Sequence, residues 1–235
     1  MAPTTEKDAR SGRGGQKGRE GATDERLADW AYKELERLIV TASLAPGEWV
    51  TESDLGLRLG LSRTPIREAL QRLARARLLE IVPRRGLRIT GVRVEEQLAL
   101  LEFRREVERF LAVRAAERAT TAERDRFRAL AGEMEGCARS RDEAEHYRVD
   151  LEYKLLLVQA AGNEHAGEAI APLWASSRRF SWVTRASRNI ALSSTLTAAV
   201  MHAIADGDAA LAARANDVYM DALEQLARGS LDYCP

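Results

Sequence analysis

The sequence predicts a mainly α protein: an N-terminal winged helix-turn-helix with a small β-hairpin wing, followed by an all-α helical bundle. Three observations predict it. From Asp24 onward apolar residues recur at helical spacing, the one β-like stretch is LLEIV and LRIT about a PRRG turn, and basic charge crowds into the segment ending at that hairpin. Residues 1–23 are rich in Gly, Ser, Thr and charge without apolar periodicity, which predicts a flexible tail.

Leu27, Trp30, Ala31, Leu35, Leu38 and Ile39 mark a first helix, which LAPGEW ends with its Pro and Gly. Thr51 or Ser53 caps a short second helix with Leu55, Leu57 and Leu59 as its apolar side, and Gly60 turns the chain into a third. That third helix, in SRTPIREALQRLARARLL, is expected to have Thr64 as N-cap and Pro65 as its first residue. Its inward face is Ile66, Ala69, Leu70 and Leu73, and Arg63, Arg67 and Gln71 lie roughly 60 to 140° around the helical wheel from Ile66. Two helices about a tight Gly turn make a helix-turn-helix, and Arg84 and Arg85 at the hairpin tip make its wing. Residues 24–92 form this first domain. In 93–230 there is no strand signal, and breaks near Thr120, Ser140, Gly162, Asn189 and Gly207 divide about six helices into a bundle.

Composition narrows the function. With 45% hydrophobic and 31% charged residues, no apolar run of spanning length and no apolar N-terminal segment, a soluble cytoplasmic chain is expected. Two cysteines, Cys137 and Cys234, exclude a disulfide framework, and three histidines limit any metal site. A net charge of zero hides an asymmetry: up to Arg93, 18 Lys and Arg stand against 13 Asp and Glu. Between Arg58 and Arg93 the arginines number 10, opposed by Glu68 and Glu80 alone, a phosphate-binding footprint. Arginines in the first turn of a helix oppose its dipole, which makes sense where a phosphate or guanine sits. Wing arginines reach the backbone or the minor groove beside a helix in the major groove. An enzyme is not expected, since the chain has no Gly-rich phosphate loop, no Gly-x-Ser-x-Gly and no Cys and His pair at recognisable spacing.

LAPGEWVTESDLGLRLGLSRTPIREALQRLARARLLEIVPRRGLRIT, within residues 27–90, resembles the winged-helix DNA-binding domain of the GntR family of bacterial regulators. The resemblance implies that Arg63, Thr64 and Arg67 stand where family members contact operator bases and phosphates and that Gly86 stands in the wing tip; Ser62 and Gln71 on the third helix and Arg84 and Arg85 in the wing complete the expected DNA-binding set. Ser53 departs from an Arg that some relatives carry on the second helix.

EFRREVERFLAVRAAERAT, DLEYKLLLVQAAGN and HAIADGDAALAAR resemble the helical effector-binding (FCD-type) domain of the FadR-like branch of that family. Many members of the branch hold a divalent metal with one Asp and three His. Here the corresponding positions read Asp150, Lys154, Thr197 and Tyr219, so the metal is not carried over and no cofactor is expected. His146 stands one turn before Asp150 on the same face, but His165 and His202 share no face with it.

In the fourth helix Arg104 and Glu108 fall among Leu100, Val107, Leu111 and Ala115, and buried charge needs a partner. Two outcomes stand open. Arg104 pairs with Glu108 and Asp150 with Lys154 as structural bridges, or Arg104 and Lys154 receive a carboxylate effector while Thr197 and Tyr219 supply neutral hydrogen bonds. The resemblance thus implies a homodimeric regulator, read as a repressor of a palindromic operator, whose DNA affinity a small organic acid modulates. Its alternative is a regulator without an effector, the cavity filled by side chains.

Overall fold

The computed structural model describes residues 24–184 and 189–230, so the expected tail lies outside the described residues. α1 (Asp24–Val40) buries Ala31, Leu35 and Ile39 against α3 (Arg63–Arg75) on the stripe that helical spacing dictates. Between them α2 (Glu52–Leu59) is capped by Thr51, whose hydroxyl accepts from Asp54 N at 3.1 Å, and Gly60 closes it in the left-handed region. Leu55 and Leu59 face inward. Leu57, expected beside them, is 81% exposed, because it lies two residues, about 200°, from each.

The start of α3 also differs from expectation. Ser62 is the N-cap and the helix begins at Arg63, two residues before Pro65. Pro65 is tolerated there because the first four N–H groups of a helix have no partner within it. Arg63 and Thr64 are therefore residues of the first turn.

β2 (Leu79–Val82) and β3 (Gly86–Ile89) form the wing, paired antiparallel from Leu79 with Ile89 to Val82 with Gly86. A strand that the sequence did not reveal, β1 (Trp49–Val50), pairs with the other edge of β3, so the sheet order is β1-β3-β2. Two residues offer no alternation to read. The close approach of β1 explains Gly86, which has φ 106° and where a Cβ would stand 3.1 Å from Val50 O.

The bundle comprises α4 (Val94–Arg118), α5 (Thr121–Ser140), α6 (Glu143–Ala161), α7 (Glu164–Val183), α8 (Ile190–Asp206) and α9 (Ala209–Arg228), with breaks where the sequence placed them. The side chains of Thr120, Asp142, Asn163 and Asp208 cap α5, α6, α7 and α9. α4 packs against α6, α7, α8 and α9, so it buries Arg104 and Glu108 as well as Leu101, Leu111 and Ala115. One apolar cluster runs through residues of α1 to β3 and a second from Val94 to Ala227. They touch at α7, whose Ala175 belongs to the first, and at Tyr147 of α6.

Candidate nucleic-acid interface and interior cavity

The apolar side of α3, Ile66, Ala69, Leu70 and Leu73, is fully buried, which leaves Ser62, Arg63, Thr64, Arg67 and Gln71 exposed on the opposite side. No acidic residue stands in its first turn and the Ser62 side chain does not cap it, so its positive end faces solvent without a local counter-charge. Arg67 is held by a residue that sequence reasoning missed: its Nε and Nη2 donate to the two carboxylate oxygens of Glu52 at 3.4 and 3.1 Å. A separation of fifteen positions left no periodic signal for that pair. Arg72, part of the same basic run, is directed elsewhere, bound to Asp29 and stacked over Tyr32 of α1.

In the wing the Arg85 guanidinium lies 5.4 Å from the ring centre of Trp49, which β1 presents 45% exposed. Arg85 N donates to Val82 O at 3.1 Å, and Arg84 takes the turn position with φ 64° that suits Gly or Asn. A side chain in that region costs about 1 kcal/mol. Replacing Arg84 by Gly is expected to leave the melting temperature equal or higher while lowering affinity for duplex DNA, with the salt slope shallower by about one. Unchanged DNA binding would make Arg84 a turn residue and nothing more. Gly86, by contrast, has a structural reason for its identity, the approach of Val50 O.

Residues of α4, α6, α7, α8 and α9 line a partly open cavity of about 120 Å³. Arg104, Asp150, Lys154 and Tyr219 line it as expected, together with His146 and Trp174. Thr197 does not. It is buried on α8 with its Oγ1 unpartnered, and Ser193, one turn earlier, takes the lining position. Of the two expected ion pairs, Arg104 with Glu108 forms at 2.5 Å, whereas Lys154 reaches across to Glu108 at 2.8 Å instead of pairing with Asp150 four residues before it. Trp174 Nε1 also donates to Glu108 at 2.8 Å, and Ser177 Oγ accepts from Arg104 at 2.7 Å and from Gln97 at 2.6 Å.

Glu108 is therefore the hub. Burial alone would raise its carboxyl, but Arg104 and Lys154 outweigh burial and hold it at about 2. The same carboxylate keeps both cations charged in spite of their own burial. His146 donates to or accepts from Ser194 Oγ at 2.8 Å, and burial pushes its pKa down, which favours the neutral ring. These residues do not fit a divalent metal: an ammonium bound to Glu108 occupies the position of one ligand, and among the described residues no three of His, Cys, Asp and Glu are grouped to hold an ion.

Three successive residues of α7 link this cavity to the winged helix. Ser177 binds Arg104, Arg178 lies over the Tyr147 ring and 3.9 Å from Glu36 of α1, and Arg179 donates to Thr90 just after β3. Arg179 reaches Thr90 Oγ1 at 2.8 Å and also the Thr90 carbonyl. Nothing in the sequence distinguished this run from any other helical polar stretch.

A basic helix-turn-helix with a wing, joined to a helical bundle around a cavity, defines the architecture of a DNA-binding regulator. Residues 27–89 match the model of the bacterial regulatory proteins of the gntR family, and residues 99–222 match that of the FCD domain. The chain belongs to the gntR family of bacterial regulatory proteins, in its FCD-bearing form; this is a family of transcription regulators and not of enzymes. Among curated relatives, a transcriptional regulator from Streptomyces ambofaciens is 38% identical over 61 residues, 26% of each chain. YdhC of Bacillus subtilis is 27% identical over 57% of this chain and 60% of its own, and the transcriptional repressor RspR of Escherichia coli is 26% identical over 65% and 67%. This chain thus spans 26% and 60% of the length of the first two relatives. The fold is shared with Escherichia coli McbR/YncC (TM-score 0.75, 18% identity, 86% of this chain and 97% of that one). It is shared also with a GntR regulator from Rhodococcus sp. RHA1 (TM-score 0.68, 22% identity, 89% and 100%).

Proposed function

We propose that the chain acts in the cytoplasm as a homodimeric repressor, binding a palindromic operator with an affinity set by a small molecule in the bundle cavity. Residues 24–92 are then the DNA-binding part and 93–230 the effector-binding and dimerisation part. Ser62, Arg63, Thr64, Arg67 and Gln71 enter the major groove, and Arg84 and Arg85 flank it. Two-fold symmetry of operator and protein go together, and the exposed Phe103 and Phe110, two turns apart on α4, offer an apolar patch for an isologous contact.

The observation that carries the reading is the run Ser177, Arg178, Arg179: a ligand bound beside Ser177 and Arg178 acts on the same short stretch of α7 that holds α1 and Thr90. A ligand shifts operator affinity only if it binds the two arrangements of the DNA-binding parts differently. An open cavity of about 120 Å³ speaks against the alternative of a side-chain-filled interior without a ligand.

The test begins with duplexes selected from random DNA by the full-length protein. Arg67→Ala is expected to weaken binding of the selected site by roughly 1 to 3 kcal/mol and to relax base preference at one position. Equal affinity and equal preference would remove α3 from the interface.

A further inference from the structure

Resting on the gated reading above, we infer that the effector is a small carboxylate with an apolar body, held by Arg178 and not by the arginine and lysine of the buried centre, and that it takes Arg178 from Glu36 of α1. Four buried side-chain atoms lack a hydrogen-bond partner among the described residues, and of these only Arg178 Nε belongs to the cavity wall. A buried donor in that state calls for an acceptor. The other two cations of the wall are already satisfied. Arg104 and Lys154 share Glu108, the rings of Tyr153, Trp174 and Tyr219 enclose Lys154, and Asp150 adds a second negative charge that attracts both cations. Two cations against two carboxylates leave that centre no charge to offer a ligand.

Arg178 is differently placed. Its guanidinium lies over the Tyr147 ring at 5.2 Å from the centre, a contact that brings no oxygen acceptor. In any arginine Nε–H and one N–H of Nη2 point the same way, a fork that matches the two oxygens of a carboxylate. Glu36 Oε2 stands 3.9 Å from Nη2, beyond hydrogen-bond range, while the Tyr32 hydroxyl donates to Glu36 Oε1 at 3.0 Å. The fork is therefore only loosely engaged, and a ligand carboxylate that makes both bonds displaces the weaker contact. Phe180, Trp182, Ile190, Leu223 and Leu226 offer the apolar wall for the rest of the molecule. Glu143, the other carboxylate of the wall beside Asp150, is exposed, so water and salt screen it. Because Glu36 belongs to α1, the exchange loosens α1 from α7 as the ligand binds, and a difference of this kind is what a shift in operator affinity requires.

The inference is tested on the full chain with benzoate, phenylacetate and hexanoate, each beside the primary amide and the alcohol of the same skeleton. Binding is read by calorimetry and by the shift in melting temperature. At least one acid is expected to bind about tenfold or more tightly than its amide and alcohol, as two charge-assisted hydrogen bonds require. Arg178→Gln should remove that preference, and Arg178→Lys, which keeps the charge but not the fork, should restore only part of it. Glu36→Gln, which weakens the competitor, should tighten binding of the acid by a few-fold. An acid preference that survives Arg178→Gln puts the carboxylate on another cation and overturns the site. Amides that bind as well as acids, or a panel in which no acid binds, overturn the carboxylate class, and an unchanged affinity in Glu36→Gln overturns the exchange. Should Arg178→Gln fail to fold, Arg178→Lys and Glu36→Gln decide. Titration of the selected duplex with the acid is read separately: an acid that binds through Arg178 and leaves operator affinity unchanged overturns the gated reading and keeps the site.

Discussion

Replacing Glu108 by alanine is expected to destabilise the protein by about 3 to 5 kcal/mol, because it leaves the Arg104 and Lys154 charges facing each other inside the bundle without the carboxylate that binds them both. Unfolding by urea measures this directly. Glu108→Gln separates charge from shape, since glutamine retains an acceptor for Trp174 Nε1 but brings no negative charge. It should cost most of the same amount, and a variant as stable as the parent would refute the electrostatic account. The pH dependence has a definite sign. In the folded chain Glu108 titrates at about 2, below its ordinary 4.5, so its contribution is complete above pH 4.5 and is lost as the pH falls towards 2. The Gln variant should lack that acid-sensitive step.

The second large effect is expected at Arg179, which is buried with no carboxylate within ion-pair distance among the described residues and with its Nε unpartnered. Burial alone pulls its pKa down to about 10. Hydrogen bonds made by a charged group are worth about 1.5 to 3 kcal/mol each. Arg179→Met should therefore free the junction after β3, and deuterium exchange at Thr90, whose N–H donates to Leu78 O, should quicken by one to two orders of magnitude. Global stability should change far less, because removing a buried unpaired charge offsets the lost bonds. If Thr90 exchanges at the original rate, Arg179 is not what couples the bundle to the wing.

Much of this fold was legible because it rests on period and punctuation. The α1 and α3 stripes, the Gly60 turn, the hairpin and the bundle breaks were each marked by local spacing or by residues with special backbone preferences. What escaped had no local signature. β1 is two residues long and exists only because β3 offers it an edge; Glu52 finds Arg67 only through the angle between α2 and α3. At the cavity the sequence located Arg104, Asp150, Lys154 and Tyr219, but intrahelical spacing suggested the wrong partner for Lys154. A carboxylate four residues away competes with one on a facing helix, and tertiary packing put Glu108 closer.

The Arg67 and Glu52 contact gives the interface a threshold. An arginine free in solvent adheres to any phosphate it meets, and so contributes as much on random sequence as on the right one. Arg67 instead begins with both arms of its fork on a carboxylate. A backbone phosphate offers two oxygens to that two-point grip and guanine offers O6 and N7, so either partner must first displace Glu52. If Arg67 meets DNA as proposed, it exchanges one planar partner for another, and Glu52 is a competitor that lowers its attachment to any duplex.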